Sequence, residues 1–169
     1  MTNDKSTQRR ARRDAIAAGA LQALAERGGH GLTHRAVDAA LSLPAGSTSY
    51  YFNSRAALLV AAADALFAID KAEIAGLLDV GGELDVDALL RAWTAPQARP
   101  RLLARLEFFL EASRNAEFRQ HLSGQRAFFR AAAEAAMARR GEADPAAAAD
   151  RAIARFEGEL LAIAAFGAP

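Results

Sequence analysis

The chain of 169 residues contains no cysteine, which excludes disulfides, thiolate zinc sites and a cysteine nucleophile. Nowhere does it carry the roughly 18 consecutive apolar residues that a membrane-spanning helix needs. The opening stretch, Met1 to Arg13, is polar and basic with no apolar signal segment, so a cytoplasmic protein without membrane contact is expected. Val, Ile, Thr and Tyr are scarce while alanine is abundant, and alanine loses no side-chain entropy in a helix. An all-α fold follows. Of the three histidines, His30 and His34 are four residues apart but fall on either side of the break between the helix ended by Gly28–Gly29 and the one capped by Thr33, and His121 stands alone, so they make no recognisable ligand set; there is no Gly-x-Ser-x-Gly elbow, phosphate loop or cofactor motif. The chain does not read as an enzyme, and no metal or cofactor is expected.

Acidic residues are few at one end. The net charge is +1, yet residues 1–60 hold eight Lys/Arg against four Asp/Glu, leaving thirteen basic and sixteen acidic residues for the remainder. The first third is thus +4 and the rest −3. An anionic polymer would dock at the basic end, where residues 1–10 read as a basic arm.

Apolar residues recur at helical spacing along the whole chain. A first helix is expected over 10–27, with Ile16, Ala20, Leu21 and Leu24 inward and Gly28–Gly29 ending it. Thr33 reads as the N-cap of a short helix to about Leu41, and Pro44 as the first residue of a third, running to about Phe52. Ser54 caps a long fourth helix over 55–78. Further helices are expected over 85–93, 101–113, 116–140 and from Asp144–Pro145 to about Phe166.

Two short helices joined by a tight turn, after a longer amphipathic one, form the layout of a helix-turn-helix. The second presents Gly46, Ser47, Thr48, Ser49, Tyr50 and Tyr51, small or hydroxyl-bearing groups that suit entry into a major groove and contact with base edges and phosphates. Taken alone, a Ser/Thr-rich stretch after proline reads equally well as a loop.

Thr33-His34-Arg35-Ala36-Val37, then Leu43-Pro44-Ala45-Gly46-Ser47-Thr48-Ser49-Tyr50-Tyr51-Phe52, then Arg55, Leu58 and Leu59, resemble the helix-turn-helix signature of TetR-family regulators over residues 10–60. The resemblance implies a DNA-binding domain over 1–55, with a recognition helix at about Ala45 to Tyr51, and a helical effector-binding and dimerisation domain over 56–169. By the same resemblance Thr33, Tyr51 and Arg55 would contact phosphates, with His34 and Arg35 beside them, while Ser47, Thr48, Ser49 and Tyr50 would face bases. Three positions depart from the pattern: Ser42 replaces the turn glycine, Asp38 a small residue, and Ser49 a tyrosine. A left-handed serine costs about 1 kcal/mol relative to glycine.

The resemblance further implies a ligand-responsive repressor of a palindromic double-stranded DNA operator, released by a small-molecule effector. Trp93, Phe108, Phe109 and Phe128 are the candidates for lining an effector pocket. A homodimer is expected through a four-helix interface of the last two helices, carried by Phe129, Ala133, Met137, Ile153, Phe156, Leu160 and Ile163. The rival reading is a helical adaptor that binds protein partners and touches DNA only non-specifically.

Overall fold

The computed structural model describes residues 2–78 and 81–167, with side chains from Lys5 onward. The described residues are helical with no strand; one isolated bridge pairs Leu78 with Leu84. No helix among them is long and apolar enough to cross a membrane.

Helix α1 spans Thr2–Gly31 and is kinked at Gly28, where φ is 66°. It begins well before the expected start, because the basic run before Arg10 contains nothing that breaks a helix. Lys5, Arg9 and Arg10 therefore ride on α1 and do not form a separate arm. Helix α2, His34–Ala40, starts where Thr33 Oγ1 accepts the Ala36 N–H at 3.1 Å. Helix α3 is only Ser47–Tyr51. Pro44 lies in the turn and does not open this helix: Gly46 precedes it in a left-handed conformation, φ 90°, that a residue with a side chain rarely adopts.

Helix α4, Arg55–Gly76, is capped by Ser54, and α5, Val86–Thr94, by Asp85. After a 3₁₀ turn at Pro96–Ala98 come α6, Arg99–Arg114, and α7, Ala116–Arg139, capped by Asn115. Helix α8, Pro145–Phe166, opens with Asp144 as cap and proline in its first turn. Each such side-chain cap is worth about 1 kcal/mol and fixes where a helix begins.

Two apolar cores result. The first joins Ile16, Leu24, Leu32 and Val37 of the N-terminal helices to Leu58, Leu59 and Leu66 of α4, and continues into Phe108 of α6 and Phe118 of α7. The second lies among Leu89, Trp93, Leu102 and Leu160. Because the first core runs across residue 55, the helix-turn-helix packs directly on the C-terminal helices.

Candidate nucleic-acid interface

A five-residue helix cannot persist by backbone hydrogen bonding alone, so α3 must be held from outside. Asp38 of α2 holds its start. One carboxylate oxygen accepts the Gly46 N–H at 2.8 Å; the other accepts the Thr48 N–H at 2.8 Å and the Thr48 hydroxyl at 2.7 Å. Asp38 thus acts as the cap that Gly46, having no side chain, cannot supply. Asp38 is 4% exposed and Thr48 fully buried. Burial pushes the carboxyl's pKa up, yet the bonds from Thr48 and Gly46 together outweigh it and hold the pKa below its ordinary value.

The end of α3 is held by donors from two other helices. Arg13 of α1 donates to the Tyr51 carbonyl at 2.9 Å, with its guanidinium 4.5 Å above the Phe52 ring. Positive charge there also opposes the negative end of the helix dipole. His34 Nε2 lies 2.7 Å from the Phe52 carbonyl, and since a carbonyl only accepts, that nitrogen carries the hydrogen. The turn between α2 and α3 closes through Ser42, whose φ of 52° is the left-handed value expected of it, and through the Leu43 N–H on the Asp38 carbonyl.

These restraints correct the roles expected from the pattern. Thr48 does not face bases: it points inward, and its hydroxyl is spent on Asp38. His34 is half-buried against Phe52 and serves the scaffold. Ser47 is half-buried and its hydroxyl bonds the Pro44 carbonyl. Tyr51 is half-buried on the first core. What α3 shows to solvent is Ala45 and Gly46 at its approach, then Ser49, and Tyr50, which is 75% exposed. Thr33 and Arg35 are exposed on the adjoining edge of α2, and Arg9, Arg10 and Arg12 on α1.

Arg55, expected at a phosphate, is committed elsewhere. It donates to the Gly29 carbonyl and to Glu111 of α6, both at 2.6 Å. That bond, first among the causes, holds the Glu111 carboxyl below its usual range. Glu107, one turn earlier, accepts the Gly29 N–H at 3.0 Å. Helix α6 therefore grips the kink of α1 directly through Glu107 and, by way of Arg55, through Glu111. Sequence reasoning missed Asp38, Arg13, Glu107 and Glu111; the unusual acid at position 38 was the one signal available.

Residues 84–169 match a family model described as tetracyclin repressor-like, C-terminal domain. The chain belongs to the TetR family of transcriptional regulators. Among solved structures, multidrug binding protein EbrR complexed with proflavin is similar at 28% identity and a TM-score of 0.61, over 90% of this chain and 88% of that one. A putative TetR-family transcriptional regulator from Rhodococcus sp. is 24% identical, with a TM-score of 0.75 over 94% of this chain and 89% of that one. A putative transcriptional regulator from Saccharomonospora viridis in complex with choline is 16% identical, also with a TM-score of 0.75, over 92% and 86%. The last two show the fold alone. No curated protein matches the chain.

The other expected TetR site residues fall in several places. Phe108 is buried beside Phe118 in the first core, whereas Trp93 belongs to the second. Phe109 and Phe128 are exposed, Phe128 lying edge-on to Phe67 with the Lys71 ammonium 4.6 Å above it. The four aromatics thus do not converge on one cavity. A cleft of about 920 Å³ between α3, the start of α4 and the start of α7 is lined by none of them; Tyr50, Tyr51, Asp64 and His121 are among its walls. Leu160, expected at a dimer interface, is buried within the chain against Leu89, Trp93 and Leu102, and Phe156 meets Trp93 edge-on. Phe129, Ala133, Met137, Ile153 and Ile163 are half-buried. On α7, the first three share a flank with Arg126 and Arg130, which pair with Glu157 and Asp150 of α8.

Proposed function

We propose that this TetR-family regulator represses transcription by binding a palindromic operator as a homodimer, and that a small-molecule effector releases it. The observation that carries the DNA reading is the triple restraint on α3 by Asp38, Arg13 and His34, which leaves Ala45, Gly46, Ser49 and Tyr50 exposed on its outer face. On that face Ala45, Ser49 and Tyr50 read base edges, and Gly46 lets the backbone approach. Thr33, Arg35 and the arginines of α1 meet phosphates, which set register without reading sequence.

The dimer reading moves from the half-buried seam to the outer faces of α7 and α8. Gly124, Phe128, Ala131, Ala135 and Ala138 share one exposed face, and Ala154, Gly158, Leu161, Ala162 and Ala165 another. Small residues allow close helix approach, and a Cβ built at Gly124 or Gly158 meets nothing within 4 Å inside the chain. A twofold dimer would set two α3 helices about 34 Å apart, one turn of DNA. Release follows if an effector in the C-terminal helices shifts α6, because α6 holds the α1 kink.

The test is selection from a randomised duplex pool, with light scattering of the protein alone. Enrichment of an inverted repeat by a dimeric protein supports the proposal. An enriched site with no repeat, or a monomer at micromolar concentration, contradicts it.

A further inference from the structure

A polar cluster lies against the second core, in contact with it through Trp93. Asp70 of α4 accepts from Arg105 Nη2 of α6 at 2.7 Å, and both are buried, Arg105 being 9% exposed. Beside them Glu73 pairs with Arg101 at 2.7 Å, both half-buried and forming a rim toward solvent. The Arg105 guanidinium lies 3.8 Å from the centre of the Trp93 ring of α5. Three buried atoms of this cluster, Arg105 Nη1, Trp93 Nε1 and Glu73 Oε2, meet no hydrogen-bond partner among the described residues. Unsatisfied buried polar atoms are rare in folded proteins, and the two N–H donors, on side chains stacked against one another, call for a common partner.

We propose that Arg105 and Trp93 form the anion seat of the effector site, and that its ligands are small organic carboxylates with an apolar body. The inference rests on the ligand-responsive reading above and names the ligand class. Two of the three orphaned atoms are N–H donors, one of them charged, so the missing partner is an acceptor. A planar guanidinium presents its second edge to a carboxylate once its first is held by Asp70. A cationic ligand is disfavoured because the aromatic face it would use is covered by Arg105 itself. Leu89, Leu102, Leu160 and Phe156 pack in one core with Trp93, so the side of the seat next to the indole is apolar. Glu73 Oε2 remains for a hydroxyl or N–H on the ligand. Arg105 stands on the same helix as Glu107 and Glu111, so the seat is mechanically joined to the α1 kink.

The chain has a single tryptophan, so the indole N–H resonance of ¹⁵N-labelled full-length protein reports Trp93 alone. Acetate, hexanoate and phenylacetate would be titrated, with 2-phenylethanol as the neutral counterpart of the last. The expected result is a saturable indole shift with phenylacetate, with at least tenfold weaker binding of the alcohol. The paired variant Asp70→Leu/Arg105→Met removes both buried charges together and should keep the fold while losing the preference for the acid. An indole unmoved by all three acids at millimolar concentration overturns the proposal, as does equal binding of acid and alcohol; the unmutated protein decides these even if the paired variant does not fold. A shift by an acid that leaves DNA binding unchanged upholds the seat and removes only the release reading.

Discussion

Asp38 and Thr48, ten residues apart on different helices, meet through both the backbone N–H and the hydroxyl of Thr48, and neither residue reaches solvent to any useful extent. The pair makes α3 an extension of α2, since the cap of one helix is a side chain of the other. Under the proposed function, sequence discrimination falls to the residues that this pairing turns outward.

Roles within α3 can be separated by two substitutions. Tyr50→Ala removes an exposed ring and should change stability by no more than about 0.5 kcal/mol, while lowering operator affinity by about 1–3 kcal/mol. Thr48→Val deletes a buried hydroxyl and leaves Asp38 short of a donor, costing about 1–3 kcal/mol of stability. Its loss of DNA binding should be the same on operator and random DNA. Urea denaturation and fluorescence anisotropy on both duplexes check this. A Thr48→Val protein of full stability with altered base preference would put Thr48 back in the groove.

Arg55 bears on whether the kink is gripped by α6 or the phosphates are gripped by α4. Each neutralised phosphate adds about −0.9 to the log–log salt slope of binding, so a lost phosphate contact would flatten it visibly. Because Arg55 is committed to Glu111 and Gly29, Arg55→Ala should leave the slope unchanged. A double-mutant cycle with Glu111→Gln should give a coupling of about 0.5–1 kcal/mol, modest because Arg55 is partly solvated. A slope flattened by about one phosphate without coupling to Glu111 would reverse the assignment.

The proposed dimer makes opposite demands on two neighbours. Gly158→Glu places charge on the exposed face of α8 and should yield folded monomers by light scattering. Leu160→Glu buries an unpaired charge in the second core and should abolish cooperative unfolding instead. A folded monomeric Leu160→Glu protein would show that Leu160 faces a second copy.

Burial pushes the Asp70 pKa from its ordinary 3.8 up to about 6, outweighing the attraction of Arg105. Between those values the folded chain binds more protons than the unfolded one, so this group makes stability fall as pH rises through the window and leaves it level above. Asp70→Asn should remove that slope in urea denaturation at pH values from about 4 to 7. A slope that the Asp70→Asn substitution leaves unaltered would show that burial does not raise the Asp70 pKa above its ordinary value.

Much of the fold was legible because it is local. Thr33, Ser54 and Asp144 are capping chemistry readable one turn at a time, and the inward faces of α1 and α4 follow from spacing. Ser42 was expected to be left-handed and is. The site was less legible for a physical reason. A threonine hydroxyl reads alike whether it meets a base or a buried carboxylate, and only the fold brings Asp38 under Thr48. Arg55 likewise declares a positive charge in the sequence but not its partner on α6, 56 residues away. Leu160 was rightly apolar, yet apolarity does not distinguish the chain's own core from a partner's surface. Pro44 misled because a favoured helix start was overridden by Gly46, whose left-handed backbone delays α3 to Ser47.

The central claim is that a restrained α3 reads sequence. Its most direct measurement is anisotropy of the unmutated protein on the selected duplex and on its scrambled counterpart, at one stated salt concentration. Specific sites are typically bound about 10³-fold or more tighter than random DNA. The account predicts a preference of that order, which Tyr50→Ala reduces and added scrambled competitor does not abolish. Equal affinity for the two duplexes, lost together as salt rises, would contradict it and leave a basic helical protein that holds DNA by charge alone.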